Sequence, residues 1–150
     1  METIDKQKAA RVWERVQGRP VRDPGDLPAL IAGEWSDAAI YLQLSRRFQG
    51  KESAALRRLY EQEQSHAACL KGIYTLLTGA QPAVPTVTPA LENTEAALRR
   101  CYGREMQSLA AYEARSADPE YGQVFARLAQ QEREHCHILL TIIGSFKKGK

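Results

Sequence analysis

Two pairs of matched motifs constrain this chain more than any other feature. Glu34-x6-Tyr41 is followed by Glu63-x2-His66, and Glu105-x6-Tyr112 by Glu132-x2-His135. Four Glu and two His therefore recur in the same order in both halves. The offsets nearly agree: Glu63 lies 29 residues after Glu34, Glu132 lies 27 after Glu105, and the two Glu-x2-His units are 69 apart. Four carboxylates and two imidazoles are the ligand set of a two-metal site.

The residues around these motifs follow a helical period. Core positions recur at alternating steps of three and four, the mark of helices packed in a bundle. The first seam is Leu27, Ile31, Glu34, Ala38, Tyr41, Ser45 and Phe48. The second is Leu56, Leu59, Glu63, His66, Leu70, Ile73 and Leu77, and Gly50 permits a tight reversal between them. The third runs Leu91, Thr94, Leu98, Cys101, Glu105, Ser108 and Tyr112, the fourth Tyr121, Phe125, Leu128, Glu132, His135, Leu139 and Ile142. Ser116 to Pro119 supplies a stop, an N-cap and a proline suited to a first helical turn. Two helical hairpins result.

The link from Gly79 to Pro89 is proline-rich and, extended, spans on the order of 35 to 40 Å, about the length of a 25-residue helix. It can run the length of the bundle and make the second and third helices parallel. The predicted fold is therefore all-α, a ferritin-like four-helix bundle over residues 27–145 with one long crossover. Residues 1–26 are expected to form a short amphipathic helix and a linker, docking on the bundle or on a second subunit, and residues 146–150 a basic tail.

The seams contain an apparent mistake. Glu34, Glu63, His66, Glu105, Glu132 and His135 occupy core slots whose flanking turns supply Leu, Ile, Phe and Ala. An unpaired buried carboxylate costs several kcal/mol or takes up a proton, and four in one core repel each other. No Arg or Lys stands in the seams to compensate. Divalent cations do compensate, since four carboxylates neutralise two 2+ ions. Spacing places the groups together: residues i and i+3 share a helical face, so Glu63 with His66, and Glu132 with His135, each offer oxygen and nitrogen to one volume. Tyr41 and Tyr112, two turns beyond Glu34 and Glu105, are placed to donate hydrogen bonds to carboxylates of the opposite pair.

Composition excludes several alternatives. No apolar stretch approaches the roughly 20 residues needed to cross a bilayer, and the charged N-terminus does not suit a signal peptide, so a cytoplasmic protein is expected. Cys69, Cys101 and Cys136 form no C-x-x-C pair, against a disulfide framework, zinc ribbon or iron–sulfur cluster. The net charge of +3 is scattered along the chain and does not mark a nucleic-acid binder.

These motifs resemble the ferritin-like di-iron carboxylate proteins, and most closely the rubrerythrin and bacterioferritin branch. The resemblance covers Leu27 to about Ile143 and rests on Glu34-x6-Tyr41, Glu63-Gln-Ser-His66, Glu105-x6-Tyr112 and Glu132-Arg-Glu-His135. It implies Glu63 and Glu132 as bridges between two irons, with Glu34 and His66 on one and Glu105 and His135 on the other. Manganese or a mixed pair suits the same ligand types.

Three departures stand out. No paired C-x-x-C segment of the rubredoxin type is present, so electrons are expected from a separate donor such as a rubredoxin-like protein. Where rubrerythrins have an extra carboxylate one turn after the third-helix ligand, this chain has Ser108. The matching position in the first helix holds Asp37, a candidate seventh ligand of shorter reach that is more readily read as solvated. The second helix has no Met to hold haem, so haem is not implied.

The resemblance implies a di-iron oxidoreductase that reduces hydrogen peroxide, or oxygen, in a homodimer or larger assembly, with Tyr41 and Tyr112 steadying the carboxylates. A ferroxidase that handles iron as substrate is one alternative. A helical interaction module with a structural metal site is the other.

Overall fold

In the computed structural model, which describes residues 22–83 and 89–148, the four seams become four helices. They are α1 (Leu27–Ser45), α2 (Gly50–Thr78), α3 (Thr94–Arg115) and α4 (Gly122–Lys148). The amphipathic helix expected before residue 18 and the middle of the proline-rich link, 84–88, lie outside the described residues. No described helix is long and apolar enough to cross a membrane.

Each helix buries the stripe its period dictates. All seven seam residues of α2 are buried, as are Phe125, Leu128, Glu132, His135, Leu139 and Ile142 of α4. Three seams run past their helices: Phe48, Leu91 and Tyr121 lie outside α1, α3 and α4 and pack against the core half-buried. Burying each Leu or Ile stabilises the fold by roughly 1.5–3 kcal/mol, and these contributions fall into two layers. Leu44, Leu56, Leu59, Leu98, Leu139 and Ile142 fill one end. Leu27, Ile31, Leu70, Ile73, Phe125 and Leu128 fill the other. The polar seam residues lie between them.

Local signals set the turns. Gly50 has φ +64°, a left-handed conformation that opens α2 after the reversal from α1 and that a Cβ would strain. Asn93 caps α3 by accepting from the Ala96 N–H. The turn into α4 differs in detail from the expected cap. Asp118 Oδ1 accepts from the N–H groups of Glu120 and Tyr121, but the regular helix opens only at Gly122. A Cβ at Gly122 would lie 2.4 Å from the Ser116 carbonyl oxygen, so this close turn requires glycine.

α1 pairs with α2 and α3 with α4, as the two hairpins require. The hairpins meet through α1 against α3 and α2 against α4, which leaves α2 and α3 diagonal to one another. The ends of the crossover confirm its length. The Arg22 N–H donates to the Leu77 carbonyl, placing the end of α2 beside the start of α1. At the far end Arg47 donates to the Glu92 carbonyl at 2.8 Å and Gln43 to that of Pro89 at 3.2 Å, placing the start of α3 beside the end of α1.

Candidate metal centre

At mid-bundle the four helices bring six polar side chains to one level. Glu34 comes from α1, Glu63 and His66 from α2, Glu105 from α3, and Glu132 and His135 from α4; none is more than 2% exposed. Their atoms form two overlapping groups, Glu34 with Glu63, His66 and Glu132, and Glu105 with Glu63, Glu132 and His135. Within each group one potential ligand atom per residue lies within 4.8 Å of all the others. Glu63 and Glu132 belong to both.

The arrangement is close to two-fold symmetric. His66 Nδ1 lies 2.8 Å from Glu132 Oε1, 3.6 Å from Glu34 Oε2 and 3.7 Å from Glu63 Oε1. His135 Nδ1 lies 2.9 Å from Glu63 Oε1, 3.4 Å from Glu105 Oε2 and 3.7 Å from Glu132 Oε1. The two imidazoles stack with centroids 5.6 Å apart.

The other ring nitrogens decide what these Nδ1 atoms can do. His66 Nε2 meets Gln131 Oε1 at 2.6 Å, and His135 Nε2 meets Gln62 Oε1 at 2.5 Å. An amide oxygen only accepts, so each Nε2 carries a proton, and Nδ1 is the ring nitrogen turned toward the carboxylate oxygens. Both Nδ1 atoms, Glu34 Oε2, Glu105 Oε2 and both oxygens of Glu63 and of Glu132 lack hydrogen-bond partners. Native interiors rarely leave such groups unsatisfied. Lone pairs converging on two small volumes can hold cations, and carboxylate with imidazole suits iron or manganese. The residues present therefore fit a di-metal site.

Two phenols brace the carboxylates across the hairpin interface. Tyr41 Oη on α1 donates to Glu105 Oε1 on α3 at 2.6 Å. Tyr112 Oη on α3 donates to Glu34 Oε1 on α1. Both phenols are fully buried, and burial together with the neighbouring carboxylates pushes their pKa values well up, so they remain donors.

Electrostatics shows where protons sit without metal. Burial, then Glu34 and the other carboxylates, raises Glu63 well above its ordinary value of 4.5. Glu132 is likewise raised, by burial and then by the carboxylates beside it, Glu105 first. Glu105 moves the other way: burial opposes its ionisation, but its neighbours Glu132 and His135 and the hydrogen bond from Tyr41 win and lower its pKa. Burial also opposes the charged form of His66, yet Glu34 and Gln131 raise it overall. These upward shifts favour the protonated form of the pair common to both groups, and a metal would displace such protons.

The structure gathers all six seam residues and both tyrosines, but not Asp37. Asp37 is 3% exposed rather than solvated, and belongs to neither group. Its Oδ1 lies 2.7 Å from Arg104 Nε, an ion pair that draws the carboxylate away from the other ligands. Burial pushes the Asp37 carboxyl from 3.8 up to about 8, with Arg104 pulling the other way. The sequence reading missed Arg104 because it lies beside the seam rather than in it. It also missed Gln62 and Gln131, although a signal was present: both motifs read Gln-Glu-x-x-His. Glu113, off the seam, is an exposed partner of Arg133 at 2.6 Å.

A family model described as Rubrerythrin matches residues 27–135. No curated protein and no solved structure matches the chain.

Proposed function

The chain belongs to the rubrerythrin family, and from that premise we propose that it is a di-iron oxidoreductase that reduces hydrogen peroxide to water with electrons from a separate donor protein. The observation that carries the proposal is the pair of overlapping four-residue groups sharing Glu63 and Glu132, whose inward atoms lack hydrogen-bond partners. Glu34 and His66 would hold one ion, Glu105 and His135 the other, and Glu63 and Glu132 would bridge them.

Reduction of one peroxide to two waters takes two electrons and two protons; a pair of ferrous ions would supply both electrons as each becomes ferric. The protein's residues hold the site in shape for that exchange. Gln62 and Gln131 keep each imidazole in the tautomer whose Nδ1 is free. Tyr41 and Tyr112 each hold a proton at Oη against a terminal carboxylate, which steadies Glu105 and Glu34 as the charge between them changes. The apolar layers above and below keep bulk water from the polar level and strengthen every charge interaction within it.

The test is anaerobic loading with Fe2+, followed by one equivalent of peroxide per site and, separately, oxygen. Two irons per chain, oxidised faster by peroxide and reducible again in place, support the proposal. Irons that react faster with oxygen and then leave the site would show a ferroxidase instead, and no stoichiometric metal would leave a helical interaction module.

A further inference from the structure

We propose that a small polar oxidant approaches the metal centre through the cleft between α1 and α3, where Arg104, held by Asp37, positions it. This inference rests on the functional reading above.

The route follows from what the other faces do. Every potential ligand is buried, so an oxidant must pass between helices or through the ends of the bundle. Apolar layers fill both ends. α1 packs along α2, and α3 along α4, as hairpins. Between α2 and α4 the bonds from His135 to Gln62 and from His66 to Gln131 close the polar level. A pocket on that face, lined by Lys51, Arg58 and Ile142, lies toward the bundle end, against the apolar layer.

The α1–α3 face is built differently. It carries a cleft of about 300 Å3 lined by Gly33, Asp37, Arg104, Ser108 and Ala111 among others. Gly33 and Arg104 immediately precede Glu34 and Glu105, and Asp37 and Ser108 follow those ligands by three residues, so the cleft lies at the level of the centre. Its lining is small: a Cβ at Gly33 would meet nothing within 4 Å. Asp26, which also lines it, is paired with Arg115.

Arg104 spans the distance from solvent to interior. Its side chain is 31% exposed, whereas that of Asp37, its partner, is 4% exposed. A guanidinium has five N–H donors; Arg104 pairs by charge with Asp37 at 2.7 Å and also meets Cys101, and its remaining N–H groups would meet the lone pairs of a peroxide or a small anion. The Ser108 hydroxyl, on the same lining, donates and accepts.

The experiment follows azide binding to the iron-loaded, oxidised protein by absorption, with iron stoichiometry measured on every sample. Gly33→Trp puts bulk into the cleft from a position where a Cβ meets nothing within 4 Å, and Gly33→Leu does so with less bulk should the larger side chain disturb folding. Gly103→Trp is the control, because Gly103 is exposed on α3, has open space around it and is not among the residues lining the cleft. Azide association about tenfold or more slower in the Gly33 variants, with iron content and the control unchanged, is the expected result. Arg104→Met should weaken azide binding by about tenfold through loss of a charge-assisted hydrogen bond, with Arg104→Lys restoring part of it. Association in the Gly33 variants as fast as in the unsubstituted protein would overturn the route. Unchanged azide affinity in Arg104→Met would overturn the role of Arg104. Failure of the unsubstituted protein to take up iron would instead overturn the functional reading.

Discussion

The two hairpins match wherever they touch the metal centre and differ just beside it. Each supplies Glu, Gln-Glu-x-x-His and Tyr at equivalent positions, and each reaches across to brace the other. Gln62 holds His135, Gln131 holds His66, Tyr41 holds Glu105 and Tyr112 holds Glu34. None of these four bonds lies within a hairpin, so the site is complete only when the hairpins dock. One position before the α1 and α3 ligands, however, the first half has Gly33 and the second Arg104. Three positions after them the halves have Asp37 and Ser108. Two similar metals would call for like ligands, whereas a cleft on one face calls for unlike neighbours.

The largest effects should come from the two Glu common to both groups. Glu63→Ala and Glu132→Ala should each abolish the binding of two metals together, and to the same extent, because each removes an oxygen donor from both volumes. Metal analysis after loading with Fe2+ checks this. Full two-metal occupancy in either variant would break the equivalence and the bridging assignment.

The glutamines come next. Gln62→Leu and Gln131→Leu should each weaken binding about 10- to 100-fold, the usual cost of losing the partner that orients a ligating imidazole. Competition with a chelator gives both values. A large difference between them would mean that the two volumes are not equivalent in solution.

Metal removal should reverse the response to pH. In the metal-free protein Glu63, Glu132 and Asp37 have folded pKa values above their ordinary values of 4.5, 4.5 and 3.8, whereas that of Glu105 lies below. A raised carboxylate contributes stability that is complete below its unfolded pKa and is lost as pH climbs toward its folded one. Three raised groups outweigh one lowered group, so the Tm of metal-free protein should fall between about pH 5 and pH 8. Metal affinity should rise over the same range, because the ion displaces those protons. Thermal melts and metal titrations across the range test both signs.

How much of this was legible in the sequence depended on whether a residue sits in a seam. Glu34, Glu63, His66, Glu105, Glu132 and His135 could be read because a polar residue in an apolar stripe violates the period that predicts its burial. Tyr41 and Tyr112 could be read from their two-turn offset, which also gave the sense of their bonds across the hairpins. Arg104 and Asp37 were not legible as a pair, since they are 67 positions apart on helices whose facing depends on how the hairpins dock. Gln62 is exposed by area yet ends at a buried imidazole. Helical period ranks a residue by where its Cα lies, and a long side chain can reach inward from outside the stripe.

The smallest effects should come from the phenols, and they probe the equivalence most finely. Tyr41→Phe and Tyr112→Phe each leave a buried carboxylate oxygen without its donor, a loss of about 1–3 kcal/mol in metal-free protein by the usual cost of such an orphan. Bound metal would take over part of the charge stabilisation, so metal content should stay nearly intact in both variants while the rate of oxidation by peroxide changes. The surroundings are not the same, though. Tyr41 packs in the layer that contains Cys101 and lies near Asp37, whereas Tyr112 stacks on Phe125 at 6.3 Å in the opposite layer. Glu105, held down in part by Tyr41, should titrate higher in Tyr41→Phe. Stopped-flow oxidation of both variants beside their iron content separates the possibilities. Equal rate changes would mean that each phenol acts only through the carboxylate it holds. A larger change in Tyr41→Phe would mean that the oxidant meets the centre on the side of Asp37 and Arg104, and loss of iron from either would assign that tyrosine to holding the fold.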